Sequence, residues 1–445
     1  MVAIMMMMTL LLTAPEWVAK LTGEKKPNTF WADTVIYPII QILVVLFIVL
    51  TLVAYLVYLE RKVSAFMQAR LGPMRVGPWG LLQPAADGLK LLLKEDIIPL
   101  MADKGVFIIA PIITVVAALV VLSVVPWGPA WATIANINIG ILFLMAVSSV
   151  SVLGLVLSGW SSNSKYSLLG ALRSSAQMVS YEVGMGLSIM GALIFAKTLS
   201  MNGIIEAQNA NHHLWFVFFQ PLGFLIYIIC ALGETNRAPF DLPEAESELV
   251  AGYHTEYSGF RWALFFMAEY TAMIVTSAVA VTLYLGGWGL FGLETFIKDP
   301  TLSVIVGIVI FFLKVMALIY AAMWFRWTFP RYRYDQLMDL GWKWLIPAGL
   351  ANIVLTGIWY ALALPADQGG LFGFITHDAS GYVMTGKGIV YFIVTGFLVT
   401  IPIVWMLLAA INRRSRDFNL HAQRQLQISL RRERLQKTAA AQPAE

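Results

Sequence analysis

The sequence predicts an all-α polytopic membrane protein with about nine spans, and three observations support this fold class. Hydrophobic residues make up 59% of the 445 residues and charged residues only 13%, whereas soluble domains are about one-quarter charged. Apolar runs of helix length recur along the whole chain. Lys and Arg gather in alternate connecting loops, as they do beside the inner face of a membrane.

The nine apolar runs have about the 20 residues that a helix needs to cross a bilayer. They are too long for the strands of a transmembrane barrel, so we expect helices. The predicted spans are residues 34–58, 106–125, 133–158, 175–196, 213–232, 262–285, 302–325, 345–364 and 388–411. The chain then divides into an N-terminal extension at 1–33, a helical membrane domain at 34–411 and a basic cytoplasmic tail at 412–445.

The orientation follows from the basic residues of the loops. With the N-terminus outside, 23 of the 30 Lys and Arg residues fall on the cytoplasmic side. They comprise seven in 61–104, two in the loop of the 160s, two around the acidic loop, four in 326–343 and eight in the tail. The positive-inside rule therefore predicts N-out and C-in, and we expect the bacterial inner (plasma) membrane.

Several kinds of chemistry are absent from the sequence. The single cysteine, Cys230, cannot form an internal disulfide or a cysteine-held zinc or iron–sulfur site. No Walker A loop, no GxGxxG on a strand–helix unit and no C-x-x-C pair occurs. We therefore expect no metal, flavin or iron–sulfur cluster in this chain, so any electrons must come from a partner.

The first loop carries two predicted helical elements. Val63, Phe66 and Met67 recur at helical spacing after the charged end of the first span, which predicts a short amphipathic helix along the membrane. A second helical stretch at 81–94 follows a Gly/Pro-rich turn. In it, Asp87 and Lys90 form an i,i+3 pair worth a few tenths of a kcal/mol.

The most informative segment joins the fifth and sixth spans. It holds six carboxylates and one arginine between Glu234 and Glu256, a local net charge of −5 in a chain of net charge +4. Asp241 has two open interpretations: it caps a helix whose first turn contains Pro243, or it belongs to a group of carboxylates that exchange protons. Crowded carboxylates cannot all ionise at low cost, so some should have raised, coupled pKa values.

Charged residues also lie inside the predicted spans. Glu182 and Glu269 each sit about two helical turns from the cytoplasmic side, roughly 10 Å deep. An ionisable residue at such a depth predicts a functional role, with a neutral structural glutamate as the alternative. Lys314 lies near the middle of the seventh span, and a pairing partner elsewhere is its simplest explanation. Arg326 and Arg331 either face the acidic loop or only obey the positive-inside rule.

The chain resembles the H subunit of the proton-pumping NADH:quinone oxidoreductase, respiratory complex I, over about residues 37–347. The residues that carry the resemblance are Glu60-Arg61-Lys62, Met67-Gln68-Ala69-Arg70-Leu71-Gly72-Pro73, Ser180-Tyr181-Glu182, Ala268-Glu269-Tyr270, and the stretches 81–84, 86–95, 158–173, 233–257, 330–336 and 342–343. These motifs are long and follow one another in the same order as in that family.

The resemblance implies two sets of site residues. Those implied to line or support a quinone tunnel are Glu60, Arg61, Phe66, Arg70, Asp87, Lys90, Arg237, Phe265, Phe266, Arg326 and Arg331. Those implied to couple quinone chemistry to proton movement are Glu182, Glu234, Glu244, Glu246, Glu248, Glu256 and Glu269.

The same resemblance implies the partners. Ubiquinone or menaquinone would be the substrate, and the soluble quinone-reducing subunits and neighbouring membrane-arm subunits would surround the chain in the bilayer. Nucleic acid is not expected. The chain alone should hold no complete active site, because the resemblance assigns the headgroup ligands and the last iron–sulfur cluster to neighbouring subunits.

The chain departs from the family pattern in three places. Met74 stands where asparagine is common, the third predicted span lacks a carboxylate that some members carry, and only some members share the ninth span and the basic tail.

Two other function classes remain as alternatives. One is the homologous subunit of a membrane-bound hydrogenase-type complex, against which the intact first-loop motif argues. The other is a stand-alone secondary ion transporter, which commonly shows inverted repeats that this sequence lacks. A passive membrane anchor would not need Glu182, Glu269 or the acidic segment.

Overall fold

The computed structural model describes residues 37–128, 133–241, 251–292, 299–364, 370–378, 381–406 and 409. Its helices are α1 Tyr37–Met67, α2 Gln83–Leu93, α3 Lys104–Val121, α4 Gly140–Ser161, α5 Lys165–Ala196, α6 Met201–Ala210, α7 Pro221–Glu234, α8 Gly259–Tyr284, α9 Pro300–Thr328, α10 Tyr334–Asp339, α11 Ile346–Ala363 and α12 Gly386–Met406. The N-terminal extension and the basic tail lie outside the described residues, so the three-part division of the chain stays a prediction.

Eight helices of the described ranges are long and apolar enough to cross a membrane. They are α1, α3, α4, α5, α8, α9, the continuous helix Tyr334–Ala363 and α12. That continuous helix joins α10 and α11 through a π-helical segment, Leu340–Leu345. The predicted fold class, an all-α polytopic membrane protein, is confirmed.

The fifth predicted span is shorter than its hydropathy indicated. The helix α7 contains 14 residues, which give a length of about 21 Å against a hydrocarbon core of about 30 Å. The residues before it form a 3-10 segment, Phe216–Phe218, and His212 and His213 both have φ of 55°. Proline at its first turn starts α7 late, so the apolar run 213–232 is longer than the helix within it.

The first span is longer than predicted. The helix α1 runs without a break for 31 residues, about 46 Å. The prediction of a separate surface helix around Phe66 is therefore wrong, because those residues form the last turns of α1. Glu60 and Arg61 lower the local hydropathy, but neither residue breaks a helix, and the chain leaves α1 only shortly before Gly72-Pro73.

The predicted second helical stretch is confirmed, since α2 lies within residues 81–94. Leu89, Leu92 and Leu93 on this helix are all exposed. Uncovered leucines on an amphipathic helix are typical of a helix that lies along a membrane surface.

Buried tyrosines connect the central helices. The hydroxyl of Tyr227 on α7 donates to the carbonyl of Thr276 on α8, and that of Tyr284 on α8 donates to Ser188 on α5, both at 2.9 Å. Tyr181 on α5 donates to the carbonyl of Leu337 on α10 at 3.0 Å. Buried phenols need such partners, and these three bonds fix α5, α7, α8 and α10 relative to one another.

A short hairpin and α12 form the last part of the described chain. The strands β1 Ile375–Asp378 and β2 Gly381–Met384 pair antiparallel, with Ile375 opposite Met384. The side-chain oxygen of Asn211 accepts from the backbone N–H of Met384 at 3.1 Å. Phe392 of α12 is 1% exposed and packs edge-on against Phe195. The ninth predicted span is therefore an integral part of the bundle.

Lys314 has a structural partner set that the sequence did not reveal. Its ammonium donates to the carbonyls of Leu285, Gly287 and Gly289 at 2.6, 3.0 and 2.6 Å and lies 4.3 Å from the ring centroid of Trp215. These carbonyls follow the end of α8, where a helix carries partial negative charge. Lys314 thus caps the end of α8 through these three carbonyls.

Candidate functional site: a buried charge network

Four charged side chains from distant parts of the sequence meet inside the helical bundle. Glu60 lies on α1, Arg237 in the loop after α7, Glu269 on α8 and Arg326 on α9. Arg237 contacts Glu60 at 3.0 Å and Glu269 at 2.6 Å, and Arg326 contacts Glu60 at 2.5 Å. The predicted site residues of four separate segments therefore form one cluster.

Arg237 is the centre of this network. Its side chain is 2% exposed, and those of Glu60 and Glu269 are 6% and 13% exposed. The guanidinium carbon lies 4.0 Å from the ring centroid of Tyr270, whose hydroxyl donates to Glu60 at 2.5 Å. Two cations and two anions balance, which is the condition for holding buried charge at tolerable cost.

One donor of Arg237 is not used by the network. Its Nη2 is buried and has no hydrogen-bond partner within the described part of the chain. Buried polar groups are almost always satisfied by protein or water. This N–H group is therefore available to a water molecule or to a ligand beside the cluster.

The backbone around Arg237 is held by Gln177 of α5. The buried amide nitrogen of Gln177 lies 2.8 Å from the carbonyl oxygens of Gly233 and Phe240 and 3.1 Å from Oδ1 of Asn236. It thus contacts the loop on both sides of Arg237. Because bonds from one fixed amide leave the loop little freedom, Gln177 positions the arginine.

Gly233 is required by packing at the start of the same loop. A Cβ atom at this position would lie 2.5 Å from the ring of Tyr181, far inside the contact distance of two carbon atoms. A side chain here would push α7 away from α5 and move Arg237.

A second ion pair lies further along the same loop. Arg331 donates to Asp241 at 2.9 Å, so at least one arginine of the 326–333 segment does face the acidic loop. Burial raises the pKa of Asp241 to about 6, although the nearby Arg331 and Arg326 act to lower it. Asp241 is therefore placed to change its charge close to neutral pH.

A cavity with carboxylate and hydroxyl groups among mainly apolar walls, named here the polar cavity, lies between the network and the end of α7. Its volume is about 70 Å³, and Glu269, Glu234, Thr114, Ser148 and Ser151 are among its lining residues. A space of that size holds several water molecules when polar partners surround it. Oε2 of Glu234 is buried and without a hydrogen-bond partner in the described ranges, which is consistent with a solvating water there.

Glu182 continues this line of carboxylates. Glu182 on α5 and Glu234 on α7 are near enough to interact electrostatically, and Ser149 of α4 donates a short hydrogen bond to Oε1 of Glu182. Ser149 Oγ also lies 2.9 Å from the carbonyl of Met145. A hydroxyl has one hydrogen to donate, so Ser149 can give it either to Glu182 or to that carbonyl. The third span, which lacks a carboxylate, thus contributes a hydroxyl.

The other predicted tunnel residues lie at or near the surface. Asp87 accepts from Arg61 at 2.6 Å and from Gln83 at 3.1 Å, and the predicted partner Lys90 is 4.0 Å away. Phe66 is 67% exposed. Arg70 donates to Gln68 at 2.7 Å. These contacts do not join the buried cluster.

Phe265 and Phe266 occupy different environments. Phe265 is 4% exposed and packs edge-on against Tyr253 and Tyr257, whereas Phe266 is half-buried and lies between Trp262 and Tyr270. Phe266 therefore touches the network through Tyr270, and Phe265 lines the same cavity as Glu269.

Part of the acidic segment cannot be compared with the structure. Glu244, Glu246 and Glu248 lie outside the described residues, and so does the helix predicted to begin after Asp241. Glu256 is half-buried ahead of α8. The roles of these four glutamates stay predictions. Within the described ranges, no group of three or more His, Cys, Asp or Glu residues is arranged to hold a metal ion.

Sequence reasoning missed three contributors to the site. Tyr270 directly follows Glu269, and this position next to an intramembrane glutamate could have indicated that Tyr270 belongs to the site. Gln177, in the first turns of a predicted span, is an amide among apolar neighbours and was a comparable signal. Ser149 gave none, because serines are common within membrane helices.

The fold and the site together define a class of protein: a polytopic membrane protein with compensated buried charges and a polar cavity inside its bundle. A family profile described as NADH dehydrogenase matches residues 40–357. The chain belongs to this family, which confirms the resemblance drawn from its motifs.

Three relatives illustrate the similarity. The chain is 48% identical over 344 residues to the NADH-quinone oxidoreductase H subunit numbered 2 of Koribacter versatilis, covering 73% of this chain and 97% of the relative. It is 49% identical over 337 residues to the H subunit numbered 1 of Geobacter sulfurreducens, covering 72% and 93%. It is 50% identical over 316 residues to NADH-quinone oxidoreductase subunit 8 of Rhodothermus marinus, covering 69% and 92%.

Proposed function

We propose that this chain is the membrane subunit of a proton-translocating NADH:quinone oxidoreductase that admits the quinone and begins the proton path. Membership of the family and the names of the relatives support the first part. The observation that carries the second part is the buried network in which Arg237 bridges Glu60 and Glu269. Burying charged side chains at membrane depth costs free energy, and a protein that served only as a membrane anchor would not require them.

The quinone would approach from the cytoplasmic end of α1. The exposed ring of Phe66 and the leucines of α2 offer an apolar surface to an isoprenoid tail, and the ion pair Arg61–Asp87 joins α1 to α2. Nη2 of Arg237, which has no hydrogen-bond partner among the described residues, supports a polar contact near the network. Ubiquinone and menaquinone are both compatible with these features.

Coupling would follow from the charge balance of the network. A reduced quinone headgroup gains negative charge before it is protonated. A unit charge about 4 Å away is worth on the order of 4 kcal/mol at an effective dielectric constant of 20. Such a charge would compete with Glu60 and Glu269 for Arg237 and Arg326, and the less strongly held carboxylate would take up a proton.

The proton would then leave through the polar cavity. Glu269 and Glu234 both line it, and Glu182 lies beyond Glu234 with Ser149 as its hydrogen-bond partner. Ser149 is exposed and Glu182 is half-buried on the outer surface of the bundle. An ionisable pair at membrane depth needs a polar cover, so we place a neighbouring membrane-arm subunit there, and the soluble quinone-reducing subunits over the cytoplasmic loops.

The assembly is proposed to lie in the bacterial inner membrane. The experiment that tests the proposal replaces Glu269 with Gln in the intact complex, and Glu206, an exposed carboxylate of α6, with Gln as a matched control. We expect NADH:quinone reduction and proton pumping to fall in E269Q. NADH:ferricyanide reduction, which needs only the soluble arm, should stay at the wild-type level.

The control variant should keep all three activities. Full quinone reduction with full pumping in E269Q would refute the proposed proton path. An equal loss of quinone and ferricyanide reduction would show that E269Q prevents assembly. In that case Glu182→Gln, which leaves the ion pairs of Arg237 intact, decides the question with the same three assays.

A further inference from the structure

An apolar cavity lies between α7, α8 and α9, separate from the polar cavity of the charge network. Its volume is about 220 Å³. The side chains around it are mostly aliphatic or aromatic, among them Phe224, Ile228, Met273, Leu318 and Phe325.

Water is a poor occupant of this cavity. The polar side chains that line it are the hydroxyl groups of Thr235, Thr276 and Ser277. Thr235 donates to the carbonyl of Leu232 at 3.2 Å, and Thr276 donates to that of Met273 at 3.3 Å. A buried water needs two to four polar partners, and the hydroxyl hydrogens of both threonines are already engaged by backbone carbonyls.

A hydrocarbon is a good occupant. An apolar cavity of about 150 Å³ stays dry and binds benzene in a well-studied protein, and this cavity is larger. An empty space would leave its lining without dispersion contacts on one side. The helix α9 beside it is a membrane span with an exposed outer surface, so the solvent outside that helix is lipid and not water.

We propose that this cavity binds an acyl chain of a membrane lipid, inserted between α8 and α9. Thr235 and Thr276 line both this cavity and the polar one. The bound acyl chain therefore packs against one side of these two threonines, and the cavity on their other side is lined by Glu234 and Glu269. The inference does not depend on the proposed proton path.

The test uses the assembled complex in proteoliposomes that contain a phosphatidylethanolamine with a diazirine on its acyl chain. After illumination, mass spectrometry locates the labelled residues. The wild-type complex should be labelled at cavity residues such as Met273 and Leu318. It should also be labelled at Leu313, which is 61% exposed on the outer surface of α9 and reports ordinary lipid contact.

Two variants of the same helix distinguish the cavity from its surroundings. Ala322 lines the cavity, so Ala322→Phe fills it, whereas Ala317 is exposed on the outer surface of α9, and Ala317→Phe leaves the cavity open. Cavity labelling should be lost in A322F and kept in A317F, with Leu313 labelled in both. Ferricyanide and quinone reduction by A322F check that the complex has assembled.

Three results would overturn the proposal. The first is the absence of cavity label in a wild-type complex that is labelled at Leu313. The second is cavity label that persists in A322F. The third is loss of cavity label when excess long-chain quinone is added, which would assign the space to quinone. If A322F does not assemble, Ser277→Phe fills the cavity from α8 and is judged by the same criteria.

Discussion

Arg237 offers the sharpest test of the charge network, because it is the one cation of the network that contacts two buried carboxylates. Arg237→Met removes the charge and keeps most of the apolar stem. Glu60 retains Arg326 at 2.5 Å and the hydroxyl of Tyr270 at 2.5 Å, whereas Glu269, with a side chain only 13% exposed, loses its 2.6 Å partner. Leaving one member of a buried pair uncompensated costs about 3–5 kcal/mol.

The physical cause predicts a rescue. Glu269→Gln in the same chain removes the stranded charge, and replacing both members of a buried pair by neutral residues is often close to neutral. The double variant R237M/E269Q should therefore be more stable than R237M alone. Residues in direct contact show interaction energies of about 0.5–3 kcal/mol, and we expect a value in the upper part of that range.

The assay is the temperature at which half of the purified complex loses this subunit, read from native gels after brief heating. Four proteins form a double-mutant cycle: wild type, R237M, E269Q and the double variant. Glu206→Gln serves as a fifth, with an unchanged midpoint. If the shifts of R237M and E269Q simply add, the two residues do not stabilise each other and the reasoning from the network is wrong.

Three further predictions concern other parts of the chain. Burial raises the pKa of Asp241 from 3.8 to about 6, so the protonated carboxyl stabilises the fold fully below about pH 4, and this stabilisation is lost as the pH rises through 6. Infrared titration should show a carboxyl band with a midpoint near pH 6 that is absent in Asp241→Asn and whose midpoint moves to higher pH in Arg331→Gln. An unchanged midpoint in Arg331→Gln would contradict the role of the arginine. Lys314→Met leaves three carbonyls without their cation, at about 1–3 kcal/mol for each unsatisfied group; the yield of assembled complex should fall while turnover per complex is unchanged, and the opposite pattern would argue against a capping role. Replacing Glu246 or Glu248 with Gln should lower quinone reduction and spare ferricyanide reduction, and equal loss of both activities would instead indicate failed assembly.

The membrane spans could be predicted because a helix in lipid satisfies its own backbone, so local hydropathy decides where it lies. The errors have local explanations as well. Proline at the first turn of α7 makes this helix shorter than the fifth predicted span. The charged residues Glu60 and Arg61 lower the hydropathy where the first span was predicted to end, but the helix α1 continues past them to Met67. Hydropathy indicates whether a segment lies in lipid or in water, whereas proline residues and capping residues determine where its helix begins and ends.

The candidate site was predicted only as a list of residues. From the sequence, Glu60 could equally be explained as a charged residue at the end of a span. Arg326 could equally be explained as an arginine that follows the positive-inside rule. Their meeting at 2.5 Å joins positions 266 residues apart in the chain. No local pattern encodes such a contact, because it depends on how α1 and α9 pack against the loop that follows α7.

The sequence by itself determined that this chain is a helical membrane protein, which residues carry charge at depth, and which family it resembles, because composition and motifs are properties of the chain alone. Only the tertiary structure decided which charges neutralise one another: Arg237 holds Glu60 and Glu269, Arg331 holds Asp241, and Lys314 caps α8. The physical reason is that an ion pair inside a membrane depends on distances of about 3 Å, and the packing of distant helices sets those distances.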